Sequence, residues 1–153
     1  MKMKKREVIS LNFKKLNDLA KTPTKGSAAA AGWDLYAATD SDIWIEPHQT
    51  VKIGTGIAIE LPSLTFGAIY ARSGLATKQG LRPANCVGVV DADYRGELIV
   101  ALHNDSDIAQ MVPAGSRIAQ FIVQNYVPIT WHEVDELTDT VRGSDGFGSS
   151  GVK

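Results

Sequence analysis

Two carboxylates two residues apart, in the stretch "NCVGVVDADYRGEL" from Asn85 to Leu98, are the residues of this chain best placed to do chemistry. In an extended backbone Asp91 and Asp93 share a face, so their like charges would raise one pKa or together attract a cation. The apolar "VGVV" before them sets Asp91 at a strand end, and an aromatic ring, Tyr94, follows three residues later. The same "DADYRGE" makes a plain hairpin tip, because Asp and Gly are turn formers, and the local pattern leaves both readings standing.

A second stretch suits an anion. In "YARSGLATKQG", Tyr70 to Gly80, a strand ending in Arg-Ser-Gly and entering a helical turn brings the Arg72 guanidinium, the Ser73 hydroxyl and backbone N–H groups to one point. A capped surface helix with an exposed arginine fits the segment equally well. "GSAAAAG" at Gly26 to Gly32 resembles a phosphate loop in its small residues, but Trp33 and Asp34 follow where a P-loop needs Lys and Ser/Thr, which rejects that reading. The alanines are expected to be a close-packed approach to a strand at "WDLYAA". Asp34 within it is either a partner for a nearby arginine or a supporting group in a site. Near the C-terminus, "RGSDGFGSSG" from Arg142 to Gly151 holds four glycines and three serines around one Arg, one Asp and one Phe. By composition it is a solvated tail that buries too little to offset its ordering entropy.

The elements that must position these groups are mostly strands. In "VKIGTGIAIEL" the apolar residues Val51, Ile53, Ile57, Ile59 and Leu61 recur at even spacing, as in a half-buried strand. "DIWIEP", "TFGAIYA", "ELIVALHN", "RIAQFIV" and "ITWHEV" add short β-rich runs, separated by the turn clusters "EPHQ", "LPSL", "NDSD" and "VPAG". Many short strands divided by turns predict an all-β barrel or sandwich. One short helix is expected around "SGLATKQG", with Ser73 as cap and Gly80 as stop. The apolar alternation ends after about Leu137, which divides the chain into one β domain, 1–137, and a Gly/Ser-rich arm, 138–153.

Composition narrows the function classes. A chain of 153 residues, 44% hydrophobic, fits one domain able to bury about 68 to 70% of its extended-chain surface. Sixteen basic against seventeen acidic residues give a net charge of −1, so no global field marks a nucleic-acid or membrane-surface binder, and an anionic partner must be held locally. The single Cys86 makes no internal disulfide, and His48, His103 and His132 are too isolated for a zinc site. "MKMKKREVISLNF" lacks the apolar core of a signal peptide and has no aromatic residues among its charges, so a solvated end is expected rather than a nucleic-acid arm. No run approaches the roughly 20 apolar residues of a membrane span, and a cytoplasmic protein is expected, with a nuclear or organellar location open for a eukaryotic source.

Taken together, "AGWDLYAA" at 31–38, "ARSGLATKQG" at 71–80, "GVVDADYRGEL" at 88–98, "RIAQFIV" at 117–123 and "RGSDGFGSSG" at 142–151 resemble the five ordered motifs of the trimeric dUTP pyrophosphatases (dUTPases). Five motifs in order from Ala31 to Gly151 make a specific signal. The resemblance implies a β-clip, jelly-roll-like subunit with a flexible C-terminal arm. It also implies a homotrimer with active sites assembled from more than one chain, and hydrolysis of dUTP to dUMP and pyrophosphate. That activity limits dUTP incorporation into DNA and supplies dUMP for thymidylate synthesis.

Roles follow motif by motif. Asp91 matches the carboxylate that activates a water for in-line attack on the α-phosphorus, and an ionised Asp suits a general base at neutral pH. Arg72, Ser73 and Gly74 match the phosphate-binding second motif and Gln120 the phosphate contact of the fourth. Arg117 reads either as a site residue or as an ion-pair partner. Asn85 stands where the family places an amide against the uracil edge, Val89 and Val90 line the same hairpin, and Tyr94 would lie against the deoxyribose. In the arm, Arg142, Ser149 and Ser150 would meet the terminal phosphates and Phe147 would stack on uracil with Gly148 beside it. Mg²⁺ is the implied cofactor, held by phosphates and waters with no direct protein ligand, and Asp34 has a supporting role. Asp145 stands where a small residue is usual, Ser149-Ser150 replaces Ser-Thr, and Ala71 replaces a common proline. Two alternatives of other kinds are a dCTP deaminase, which shares a related fold, and a non-catalytic nucleotide- or protein-binding module. The Asp91–Tyr94 pairing and the Phe-bearing arm favour cleavage over deamination.

Overall fold

The computed structural model describes residues 8–144 and 146. Eleven strands and one helix are arranged in two larger sheets and two ribbons. The larger sheet is built from β2 (Trp33–Tyr36), β11 (Arg117–Asn125), β6 (Thr65–Tyr70) and β8 (Gly88–Val90), in the order β2-β11-β6-β8. The second has β4 (Thr50–Gly54), β9 (Ile99–Asn104) and β7 (Leu81–Pro83) in the order β4-β9-β7. β1 (Asn12–Lys15) pairs with β5 (Ile57–Glu60), and β3 (Ile43–Ile45) with β10 (Gln110–Val112). Every pairing is antiparallel, and the short-stranded, double-sheet arrangement is jelly-roll-like, as expected.

Alternation along the strands builds the core. Val100 and Leu102 of β9, Ile53 of β4, Ile57 of β5, and Ile118 and Phe121 of β11 are all buried in one cluster. Gly67 on β6 is required by the packing, since a Cβ there would lie 2.3 Å from Phe121 Cε2. The most buried polar side chain, Asn104 at the end of β9, is fully satisfied. Its Nδ2 donates to the carbonyls of Ile45 (2.9 Å) and Ile108 (2.8 Å), and its Oδ1 accepts from the Ser106 amide (2.9 Å) and hydroxyl (2.7 Å). Beside it Arg82 grips Asp105 through two nitrogens, and that hydrogen-bonded guanidinium holds the Asp105 carboxyl below the usual carboxylate range.

Several local expectations are corrected. "VKIGTGIAIEL" is two strands in different sheets, because Gly56 takes a left-handed φ of 65° and turns the chain between β4 and β5. "ITWHEV" forms no strand: among the described residues regular structure ends at Asn125, and Val127, Ile129, Trp131 and Leu137 are exposed. The alanines at 28, 29 and 31 are exposed, not close-packed, and lie in turns. In α1 (Ser73–Gln79) the N-cap is Arg72, with no side-chain cap bond, so Ser73 opens the helix instead of capping it. Gly80 ends the helix in a left-handed conformation, φ 68°, as expected. No helix among the described residues is long and apolar enough to cross a membrane.

Asn104→Ala strands the carbonyl and amide groups that Asn104 serves. It is expected to cost about 2 to 4 kcal/mol, read as a lower urea midpoint at fixed protein concentration with an unchanged m-value.

Candidate active site

The two chemistry-bearing stretches line two cavities of roughly 220 Å³ each. The first lies under the hairpin of the third motif. β8 pairs with β6 in the register Gly88↔Ile69 and Val90↔Gly67, then stops, so Asp91 is the first residue past the strand with its side chain exposed. The Tyr94 amide donates to the Asp91 carbonyl (3.1 Å), and Arg95 Nη1 donates to the carbonyls of Ala92 (2.7 Å) and Tyr94 (3.1 Å). These bonds tie the tip into one conformation. Asn85, Val89, Val90, Asp91 and Tyr94, all singled out from the sequence, line this cavity together. Val90 is buried, whereas Val89 is 60% exposed and offers its side chain to whatever approaches the hairpin. Asp93 does not line the cavity, so the suspected carboxylate pair does not act as a unit there.

The second cavity collects Asp34, Arg72, Ser73, Gly74 and Gln120 against the turn carrying Gly26, Ala30 and Gly32. Its organising group is Asp34, on β2 and only 9% exposed. Arg72 Nε donates to Asp34 Oδ1 (2.9 Å) and Arg117 Nη1 to Oδ2 (3.1 Å). Arg72 Nη1 also donates to the Arg117 carbonyl (3.3 Å). Asp34 and Arg117, each open to two readings from the sequence, are ion-pair partners in one cluster, and Asp34 also lines the cavity. Two guanidiniums against one carboxylate leave one net positive charge beside the cavity, which favours an anion. Gln120 sits on the central strand β11, opposite Asp34 on one side and Tyr70 on the other, and its Nε2 donates to the Ala71 carbonyl (2.8 Å).

Arg142 lies in the exposed segment after β11. Asp145, Phe147, Gly148, Ser149 and Ser150 lie outside the described residues. Among the described residues no group of three or more His, Cys, Asp or Glu side chains is arranged to hold a metal ion.

Two residues inside the quoted motifs carry structural weight that the sequence did not reveal. A Cβ on Gly32 would fall 2.5 Å from Gln120 Oε1, so glycine there makes room for the amide. Glu97 lines the first cavity and accepts the Gly56 amide at 2.6 Å across 41 positions of sequence. A carboxylate serving a distant backbone N–H has no sequence signature, and the close approach expected of the alanines falls to Gly32 instead.

Comparisons with known proteins point to one family. The dUTPase family model matches residues 18–151. The deoxyuridine 5'-triphosphate nucleotidohydrolase of Desulfitobacterium hafniense is 45% identical over 148 residues, covering 94% of this chain and 96% of its own. The corresponding protein of Corynebacterium glutamicum is 42% identical over 146 residues, covering 95% and 97%. Among solved structures, the dUTPase of Staphylococcus bacteriophage 80alpha with dUPNHPP superposes with a TM-score of 0.86 at 26% identity, over 95% of this chain and all of that one. The chain belongs to the dUTPase family.

Proposed function

We propose that this dUTPase cleaves dUTP to dUMP and pyrophosphate by in-line attack of a water on the α-phosphorus, with Asp91 as the general base. The observation that carries the reading is the position of Asp91. It leaves the end of β8 with an exposed carboxylate, at a cavity that Asn85 and Tyr94 also line. An ionised Asp there can accept the water's proton, an effect of about 10² to 10⁴ in rate, and charge stabilisation supplies the remainder.

Binding divides between the cavities. Asn85 and the backbone around Val89 and Val90 read the uracil edge, and Tyr94 stands against the sugar where a 2′-hydroxyl would need room. Cytosine presents the reversed donor and acceptor pair, which leaves buried groups unpaired and selects against it. Arg72, Ser73, Gly74 and Gln120 hold the phosphates. The arm from Thr138 on closes over the site, with Arg142, Ser149 and Ser150 at the terminal phosphates. Phe147 stacks on uracil beside Gly148, a contact worth about 1 to 3 kcal/mol by analogy with other base stacking. The base cavity and the phosphate cavity share no lining residue, which supports a homotrimer in which one copy's hairpin faces another copy's phosphate cradle.

Both oxygens of Asp34 already accept from guanidiniums, so the chain fits a Mg²⁺ that arrives on the triphosphate and keeps phosphate and water ligands, with Asp34 in a supporting role. When bound, the ion neutralises phosphate charge. In the cell the reaction would act in the cytoplasm, keeping dUTP out of DNA and supplying dUMP for thymidylate synthesis.

Purified protein given dUTP, dCTP, UTP or dTTP with Mg²⁺ is expected to release pyrophosphate from dUTP alone. Ammonia from dCTP would point to a deaminase, and silence with all four to a binding module. Asp91→Asn is expected to lower kcat by about 10² or more while dUTP still binds, measured by calorimetry beside steady-state kinetics. Ending the chain after Val141 is expected to remove most turnover and leave the thermal midpoint within about 2 °C of the full chain. Full activity in the truncated protein would make the arm a solvated tail.

A further inference from the structure

We infer that Glu97 is a positioning residue for sugar selection, setting the Tyr94 ring from the core of the molecule; this rests on the site proposed above. The Tyr94 hydroxyl donates to the Glu97 carbonyl at 3.0 Å, so the ring's orientation follows the Glu97 backbone. Gly96 lies directly beneath it, since a Cβ at that position would come 2.4 Å from the Tyr94 oxygen. The ring therefore rests on a bare stretch of backbone. It will move whenever that stretch moves.

What fixes that stretch is the Glu97 side chain. Its Oε1 accepts the Gly56 amide at 2.6 Å and occupies space that a Cβ on Gly54 would need, at 2.5 Å. Gly56 is itself immobilised. Its φ of 65° closes the β4–β5 turn, and its α-carbon faces the buried Ala20. The residues either side hold Leu98: the Thr55 amide and hydroxyl donate to the Leu98 carbonyl at 3.1 and 2.7 Å, and the Leu98 amide donates to the Ile57 carbonyl at 2.7 Å. Leu98 is buried, so those bonds alone would hold position 98, but the hairpin tip begins one residue earlier. Glu97 extends the anchor to the residue on which Tyr94 depends. A carboxylate is not essential to that task, because only an acceptor oxygen of the right reach meets the Gly56 N–H.

The test is the ratio of kcat/KM for dUTP to that for UTP, measured on the full chain with Mg²⁺. Glu97→Ala is expected to lower the ratio on the order of tenfold as the ring loosens, and Glu97→Gln, whose amide oxygen can accept the same N–H, to restore it. A Glu97→Ala ratio within about twofold of the parent, or a Glu97→Gln ratio as low as that of Glu97→Ala, would overturn the role. Tyr94→Ala separates this inference from the site beneath it. If Tyr94→Ala lowers the ratio and Glu97→Ala does not, the site stands and the positioning role falls; if Tyr94→Ala leaves it unchanged, both fall. Should Glu97→Ala fail to fold, Tyr94→Phe removes only the hydroxyl bond to the Glu97 carbonyl. That variant is expected to lose part of the discrimination, and an unchanged ratio would overturn the role.

Discussion

The placement of Asp34 between two arginines is the interaction on which the half of the molecule around the second cavity depends. A carboxylate only 9% exposed must be paired, and here each oxygen has its own guanidinium. The pairing joins β2, the entry to α1 and the start of β11 through one side chain. It also offsets the repulsion between Arg72 and Arg117, which donate to opposite oxygens of the same carboxylate. The remaining positive charge faces the cavity as a pre-oriented group, and little ordering remains to be done when an anion arrives.

The other half rests on backbone geometry more than on charge. The hairpin from Gly88 to Leu98 is held by its register with β6, by Arg95 chelating two carbonyls, and by Glu97 on the β4–β5 turn. These restraints act on the chain either side of Asp91 and leave its carboxylate in water. The proton-accepting role proposed for Asp91 gains from that arrangement, since strong partners would compete for its lone pairs. The two cavities are thus built differently: one by a buried ion cluster, the other by a rigid loop with a solvated acid.

Much of this was legible in the sequence because the relevant signals are local. Period-two runs gave β3, β6, β9 and β11, Gly80 gave the helix stop, and Asp34, Gln120 and, Asp93 apart, the candidate residues between Arg72 and Tyr94 line the two cavities that the structure forms. The failures have physical reasons. Even spacing continues through Gly54 and Gly56 whether or not the chain turns, so a change of sheet was invisible in "VKIGTGIAIEL". "ITWHEV" is β-prone but finds no pairing partner among the described residues, and propensity without pairing makes no strand. The arginine partners of Asp34 were invisible in the sequence because they stand 38 and 83 residues away.

The contact between Gly32 and Gln120 carries a consequence for how such a chain can change over generations. With Gln120 in place, any β-carbon at position 32 meets its amide oxygen at 2.5 Å, between a turn and a central strand that is paired on both sides. A larger residue at 32 becomes tolerable once 120 is shortened, but shortening 120 removes the amide that reaches Ala71. The two positions are therefore epistatic. A side chain at 32 must first displace the Gln120 amide, 88 residues later in the chain, so substitutions at the two positions are expected to be non-additive.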